Sequence, residues 1–257
     1  MAKYTHETVL QIHHWNDSLF SFKTTRSDSL RFRNGEFLMI GLAGETRPIM
    51  RAYSIASANY EEHMEFYSII VPDGVLTSKL QKIKVGDEVL IGSKPTGTLV
   101  IDDLTAGKNL YLLGTGTGLA PYLSLTKDPD IYQQFDKIIL FHGVRHISEL
   151  GYYQWLNEEL ANDEFLGEMV SKQLIYYPST TRDDFKNQGR ITDLLRSGKI
   201  ESDIGLPPIC KADDRFMLCG SPAMLADSRK MLDEMGFESS ARAGVKGDYV
   251  FERSFVD

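Results

Sequence analysis

Apolar and polar residues alternate where Phe20, Phe22 and Thr24 are separated by Ser21 and Lys23. That period of two predicts a half-buried strand. Asn34-Gly35 follows and predicts a hairpin, because both residues accept positive φ. FLMIGL (37–42), AYSIAS (52–57), MEFYSIIV (64–71) and DEVLIGS (87–93) are short and bounded by turn residues. Their β-branched and aromatic content predicts further strands. A short helix is predicted over 76–83. So many short strands between 7 and 101 predict a small antiparallel barrel.

Beyond a linker at 102–108 the rhythm changes to strand and helix in alternation. Strands are predicted at 109–113, 137–143, 172–179, 215–220 and 248–255. Helical stretches are predicted around 131–135 and over 148–160, and 201–214 reads as irregular. After the fourth strand, Ser221 suits an N-cap and Pro222 the first helical position. Met224, Leu225, Met231, Leu232 and Met235 form a helical stripe that Gly236 can end. Such alternation predicts a parallel sheet covered on both faces. The expected organisation is a two-domain β + α/β chain, with a β-barrel over residues 1–102 and an α/β domain over 103–257.

Composition narrows the function. The 257 residues are 42% hydrophobic and 25% charged, which excludes wholesale disorder. The formal charge of −8 argues against general nucleic-acid binding. Two cysteines, Cys210 and Cys219, cannot make a four-thiolate metal site or a disulfide scaffold. No apolar run reaches the ~18–20 residues of a membrane helix, and the N-terminal residues carry no signal-peptide core. A cytoplasmic chain with no membrane partner is expected.

The clearest local signal is the run Gly114-Thr-Gly116-Thr117-Gly118-Leu-Ala-Pro121, which follows an apolar strand and opens a helix. Glycines there let a phosphate or flat ring approach the backbone. Alone, the run also fits a merely tight turn, and its third glycine falls one residue early for the standard dinucleotide fingerprint. Arginine near the second strand's end suits a nucleotide 2′-phosphate. Here Arg145 follows that strand, Arg182 the third, and Arg190 lies just beyond. Forked, charge-assisted hydrogen bonds suit such a phosphate; three solvated arginines are the alternative. His142 and His146 lack the helix that would bring them together, and His13-His14 on a strand point to opposite faces. No HExxH, P-loop or GxSxG run occurs.

Arg51-Ala52-Tyr53-Ser54, the GVLTS run (74–78), the glycine run (114–121), CGSP (219–222) and Glu252-Arg-Ser-Phe255 occur in that order. The whole chain thereby resembles the ferredoxin–NADP⁺ reductase family, specifically its bacterial ferredoxin/flavodoxin reductases. The resemblance implies an FAD-binding barrel followed by an NADP-binding domain. It implies that Arg51 pairs with the FAD pyrophosphate, with Ala52 beside it, that Tyr53 packs on the isoalloxazine, and that Ser54 bonds near flavin N5. Tyr67 and Ile69 would line the FAD site, and Gly74, Val75, Leu76, Thr77 and Ser78 would hold phosphate. Gly116, Val144 and Thr181 join the three arginines on the NADP side, with Thr117 between the two rings. Ser54, Cys219 and Glu252 would serve the reacting atoms.

Two positions depart from the family pattern. Ser254 stands where plant-type members place a stacking aromatic, and the expectation for Phe255 is the FAD adenine. Ile70 stands where some relatives carry a basic residue.

The implied activity is reversible electron transfer between NADPH and an acidic one-electron carrier, ferredoxin or flavodoxin. Hydride passes to flavin N5 and electrons then leave singly. The alternatives are an oxygenase reductase component and a non-catalytic FAD/NADP-binding module. A net acidic chain needs a local basic surface for such a carrier; Lys79, Lys82, Lys84, Lys94, Arg242 and Lys246 are the candidates. A monomer without metal is expected.

Overall fold

The computed structural model describes residues 3–254, so Phe255 lies outside the described residues. The first part of the chain builds one antiparallel sheet. Its strands are β1 (Tyr4–Asn16), β2 (Leu19–Thr25), β3 (Phe37–Leu42), β4 (Ile49–Ser54), β5 (His63–Ile69) and β6 (Glu88–Gly92), in the order β4-β3-β6-β1-β2-β5. A short helix, α1 (Thr77–Leu80), precedes β6. β1 serves two neighbours, β6 at its start and β2 along its later part. Register shifts between Val9 and Gln11 and between His14 and Asn16 bend it, as extra unpaired residues do.

Edge strands β4 and β5 meet through side chains. Tyr53 Oη lies 3.0 Å from Ser68 Oγ, and the Tyr53 and Phe66 rings meet edge-on at 6.4 Å. The sheet is therefore a barrel left unpaired along one seam, filled by Phe20, Phe22, Ile40, Met64 and Phe66.

The second sheet is parallel. It contains β7 (Asn109–Thr115), β8 (Lys137–Val144), β9 (Leu174–Thr180), β10 (Asp214–Gly220) and β11 (Tyr249–Arg253) in the order β11-β10-β7-β8-β9. Chain order reverses between β7 and β10, the point where open α/β sheets bind ligands beyond their strand ends. Helices α2 (Ala120–Leu125), α3 (Pro129–Gln134) and α4 (Gly167–Gln173) cover one face. Helices α5 (Ile191–Arg196), α6 (Lys199–Ile204) and α7 (Pro222–Glu234) cover the other. Leu110 and Leu112 face the first layer, and Tyr111 and Leu113 the second. Two-sided burial explains why these strands read as unbroken apolar runs. Ser221 caps α7 by accepting from Met224 N at 3.3 Å, and Gly236 follows with φ +83°.

Several sequence expectations are corrected. Asn34-Gly35 makes no hairpin, because β2 and β3 are not neighbours. Gly35 does take φ +93°, but the reason is a close approach: a Cβ there would meet the Leu99 carbonyl oxygen at 1.8 Å. β2 is buried on both faces through Leu19–Phe22, since Trp15 and Tyr152 cover the second face; Trp15 Nε1 donates to Ser21 Oγ at 3.2 Å. The strand expected at 52–57 ends at Ser54, and Ala56 N turns to Glu65 O instead.

The helix expected over 148–160 is broken into a 3₁₀ turn at Ile147–Glu149, a π turn at Trp155–Glu159 and a 3₁₀ turn at Leu160–Asn162. Tyr152 takes φ +60° there. Its hydroxyl donates to Glu65 at 2.9 Å, and its ring lies 4.4 Å from Trp15. These contacts hold a conformation that is costly for a residue with a Cβ. The segment read as irregular begins inside α6, which ends at Gly205 with φ +71°. The residues at 102–108 are fastened rather than free: Thr105 N donates to Gly247 O at 2.8 Å, and Arg215 Nε donates to Thr105 O at 3.2 Å.

One apolar cluster joins the two sheets. It holds Leu19, Ala56, Tyr67 and Leu99 together with Leu112, Leu119, Tyr122 and Tyr152. Polar ties surround it. Asn16 Nδ2 donates to Ser148 O at 2.7 Å, and Lys127 Nζ pairs with Glu61 at 2.7 Å. Asn34, buried, accepts from Asn59 N at 2.8 Å and Ser124 Oγ at 3.0 Å, and donates to Asp128 at 2.8 Å. Asn34→Ala strands those partners in the interface. It is expected to lower stability by about 1–3 kcal/mol, read as a shifted urea midpoint at unchanged slope. An unshifted midpoint would mean that the tie is replaceable by water.

Candidate functional site

Two cavities adjoin at the carboxyl ends of β7 and β10. The larger is about 940 Å³ and the smaller about 380 Å³, the range of small-molecule and cofactor sites. Thr117 and Ser254 line both. A molecule in one cavity is therefore next to a molecule in the other.

The smaller cavity is built on the open barrel seam. β4 supplies Arg51, Ala52, Tyr53 and Ser54; β5 supplies Tyr67; and the turn before α1 supplies Gly74, Val75 and Leu76, with Thr77 opening the helix. An unpaired edge presents free backbone groups to whatever lies there. A Cβ on Gly74 would meet Thr77 Oγ1 at 2.1 Å, so a larger residue here would displace the hydroxyl that donates to Val71 O. Burial pushes the Tyr53 and Tyr67 phenols up from their ordinary pKa, so both rings stay neutral. Ser78 is not on the wall, and Ile69 faces the larger cavity instead.

The larger cavity brings together the residues that the strand ends predicted. Gly116, Val144, Arg145, Thr181, Arg182 and Arg190 all line it. The three arginines are exposed, and among the described residues none forms an ion pair. Two nearby carboxylates, Glu149 and Asp183, are already occupied. Glu149 accepts from Arg145 N at 2.8 Å and His146 N at 3.1 Å. Asp183 accepts from Ile147 N at 2.7 Å and lies 2.8 Å from His146 Nδ1. These contacts keep Asp183 below its usual pKa and leave the guanidiniums available to an external anion.

The glycines between have separate reasons. Gly116 takes φ +54°. A Cβ on Gly118 would meet the Cys219 carbonyl oxygen at 2.3 Å, so the turn can lie flat on β10. A Cβ on Gly220 would meet Thr115 Oγ1 at 2.1 Å.

Cys219 and Glu252 are register partners at the ends of β10 and β11, yet neither borders the cavities. Cys219 is only 1% exposed and packs in the interdomain cluster. Burial, then the Glu252 charge, pushes its thiol pKa up. Glu252 accepts from Thr98 N and, at 3.2 Å, from Thr98 Oγ1. Burial still lifts its carboxyl to about 7. No group of His, Cys, Asp and Glu suited to a metal occurs among the described residues. Sequence reasoning missed Ser18, Leu19 and Asp227 on the larger cavity's wall. Apart from Leu19 in its apolar run they carried no local signal, since only the folded chain brings them there.

Comparison with known proteins agrees with this division. Residues 8–101 match the oxidoreductase FAD-binding domain and residues 112–230 the oxidoreductase NAD-binding domain. The chain is 59% identical over 257 residues to a ferredoxin–NADP reductase of Azotobacter vinelandii, covering 100% of both. It is 59% identical over 251 residues to one of Pseudomonas aeruginosa, covering 98% of this chain and 97% of that one. A Neisseria gonorrhoeae ferredoxin NADP⁺ reductase, solved with bound FAD and NADP, superposes with a TM-score of 0.89 at 32% identity. That match covers 99% of this chain and 100% of the other.

The Glu252 carboxyl yields a test. Its native pKa is raised, so the folded state holds a proton that the unfolded chain has released between its ordinary pKa and about 7. The group therefore contributes most below the unfolded value, and that contribution is lost as pH rises through the folded one. Glu252→Gln, which cannot ionise, is expected to match the parent near pH ~5 and exceed it near pH ~8 in denaturation midpoint. Parallel curves across that window would show that Glu252 ionises as a solvated carboxylate does.

Proposed function

Because the chain belongs to the ferredoxin–NADP reductase family, we infer its reaction from the point where its two cavities meet. The protein is an FAD-dependent oxidoreductase that moves electrons between NADPH and ferredoxin or flavodoxin. The observation that carries the assignment of sites is the shared wall of Thr117 and Ser254. The smaller cavity is the FAD site and the larger the NADP site, with the domain division at 102/103. A flavin held there would supply a two-electron acceptor for hydride and a one-electron donor to the carrier.

The protein's own contribution is placement. Arg51 offers an exposed guanidinium to the FAD pyrophosphate, and the turn that Gly74 opens offers the N–H groups of Val75, Leu76 and Thr77 to phosphate, that of Gly74 itself being donated to Val71 O. Ser78, off the wall, steadies that turn by donating its N–H to Gly74 O at 3.1 Å. Tyr53, fixed through Ser68, presents a ring for stacking. Ala52 adds little bulk, and Ser54 places a hydroxyl at the seam. Arg145, Arg182 and Arg190 bind the 2′-phosphate, flanked by Val144 and Thr181. Ile69 closes the NADP side. Cys219 and Glu252 act from beneath the junction. Glu252, poised to change protonation at about 7, supplies a group that can hold or release a proton at physiological pH.

Holding two reactants in register can be worth up to ~7–11 kcal/mol, which is why placement suffices as the protein's role. The carrier docks on a basic rim of Lys79, Lys82, Lys84, Lys94, Arg242 and Lys246. All six are exposed, and among the described residues none forms an ion pair. Cys210 is an exposed free thiol, which suits a reducing, cytoplasmic setting. The enzyme works there as a monomer.

Anaerobic titration of the flavin absorbance tests the assignment. NADPH is expected to bleach the parent efficiently and NADH poorly. Arg145→Ala and Arg190→Ala should each raise the NADPH KM by about tenfold or more and leave NADH nearly unchanged, since a charged hydrogen bond is worth ~1.5–3 kcal/mol. Equal losses for both nucleotides would make these arginines structural. Reversing Lys79 and Lys82 to Glu should slow ferredoxin reduction and flatten its salt dependence; an unchanged rate would remove that rim from the docking surface.

A further inference from the structure

Arg145 and Arg182 line one cavity from two separate loops, the first after β8 and the second after β9. Backbone bonds carry these loops side by side as far as the arginines. Thr181 N donates to Val144 O at 3.0 Å, and Arg182 N donates to Arg145 O at 2.9 Å. There the backbone ladder stops. Ile147 opens a 3₁₀ turn, and among the described residues no backbone bond joins the two loops beyond Arg182.

Side chains continue the link. His146 Nδ1 lies 2.8 Å from Asp183 Oδ1, and Ile147 N donates to Asp183 Oδ2 at 2.7 Å. A carboxylate only accepts, so Nδ1 carries the proton. Asp183 is held from its own side as well, since buried Thr180 donates its hydroxyl to Asp183 O at 2.7 Å. On the other loop Glu149 accepts from Arg145 N at 2.8 Å and His146 N at 3.1 Å. The backbones of both arginines thus sit inside one set of contacts. His146 and Asp183 themselves do not line the larger cavity.

Two like charges on neighbouring loops repel, which favours splaying of the loops. A phosphate gripped by two guanidinium forks needs them at a fixed spacing. The side-chain link resists the splaying, and among the described residues it leaves both guanidiniums without an ion pair. We propose that His146 and Asp183 form a clamp that sets the spacing of Arg145 and Arg182, and with it the preference for a nucleotide bearing a 2′-phosphate. Both are positioning residues. The consequence for the nucleotide rests on the assignment of the larger cavity to NADP; the clamp is a contact of the chain itself. Arg190 joins the cavity from the start of α5 and lies outside the clamp.

His146→Leu removes the donor and Asp183→Ala the acceptor, while His146→Asn returns an amide N–H close to the Nδ1 position. In FAD-loaded enzyme, His146→Leu and Asp183→Ala are each expected to raise the 2′,5′-ADP dissociation constant and the NADPH KM about tenfold, the scale of weakening one charge-assisted bond. The NADH KM and the kcat with NADPH should stay within about twofold, since only binding of the 2′-phosphate is lost. His146→Asn should stay within about threefold of the parent throughout. The double variant should lose no more than Asp183→Ala alone, because the two residues act as one pair.

His146→Leu and Asp183→Ala proteins that bind 2′,5′-ADP like the parent overturn the clamp. So do equal losses for NADPH and NADH, or His146→Asn as weak as His146→Leu. If Asp183→Ala does not fold, the two His146 substitutions decide alone, on a side chain that is 45% exposed. Imidazole ¹⁵N shifts give a readout that needs no nucleotide: the parent ring should carry a proton on Nδ1, and a ring protonated on Nε2 alone overturns the clamp. A parent that binds 2′,5′-ADP no more tightly than 5′-AMP counts instead against the functional reading, and the ¹⁵N shifts then decide the clamp.

Discussion

Leu19, Ala56, Tyr67 and Leu99 from the antiparallel side pack in one cluster with Leu112, Leu119, Tyr122 and Cys219 from the parallel side. The two cavities keep their relation because this cluster is continuous. If each sheet had a closed core of its own, the contact between them would be a polar surface free to slide. Here sliding would expose apolar area, at roughly 25 cal/mol per Å². Tyr67 belongs to the cluster and also lines the smaller cavity. Leu119 belongs to it and lies two residues beyond Thr117. The wall of the site is thus the rim of the core, and the precision needed for transfer between two bound rings comes from close packing.

Charge is laid out to match. Two acidic side chains near the arginine cavity, Glu149 and Asp183, are both engaged by the segment that follows β8. The arginines keep their forks free although the chain as a whole is net negative. Toward the junction the polarity changes: Cys219 is buried, and Glu252 is lifted to about 7. Fixed cations thus stand at one end of the larger cavity, and a carboxyl lifted toward neutrality lies near the other.

The sequence made the parallel sheet legible almost strand by strand, because two-sided burial writes unbroken apolar runs such as 137–143 and 215–220. That Arg145 and Arg182 line one cavity was legible for a related reason, since both stand just past the ends of parallel strands, while Arg190 joins them from the start of α5. Contacts between distant segments were not legible. Asn34-Gly35 carries every mark of a hairpin, yet the glycine answers to the Leu99 carbonyl and the asparagine to Ser124 and Asp128. Residues 148–160 carry helical periodicity, yet Tyr152 leaves the helix to reach Trp15 and Glu65. In both cases tertiary contacts across the interface override a local preference of only a few tenths to about one kcal/mol per residue. Ile69 shares its strand face with Tyr67 but stands at the very end of β5, and it lines the neighbouring cavity there, a distinction that the motif did not carry.

The residues shared by the two cavities are both small. Thr117 arrives on a turn that only glycines allow to lie flat against β10, and Ser254 arrives just past the end of β11, where its N–H donates to Gly220 O at 3.1 Å. An aromatic ring at 254 would cover the junction and have to leave before two bound rings could meet. A serine is too small to do so, and among the described residues no aromatic ring lines both cavities. Position 254 then imposes no displacement before transfer. What remains to be controlled at the junction is alignment, set by how firmly the Gly116-Thr117 turn and the end of β11 are held.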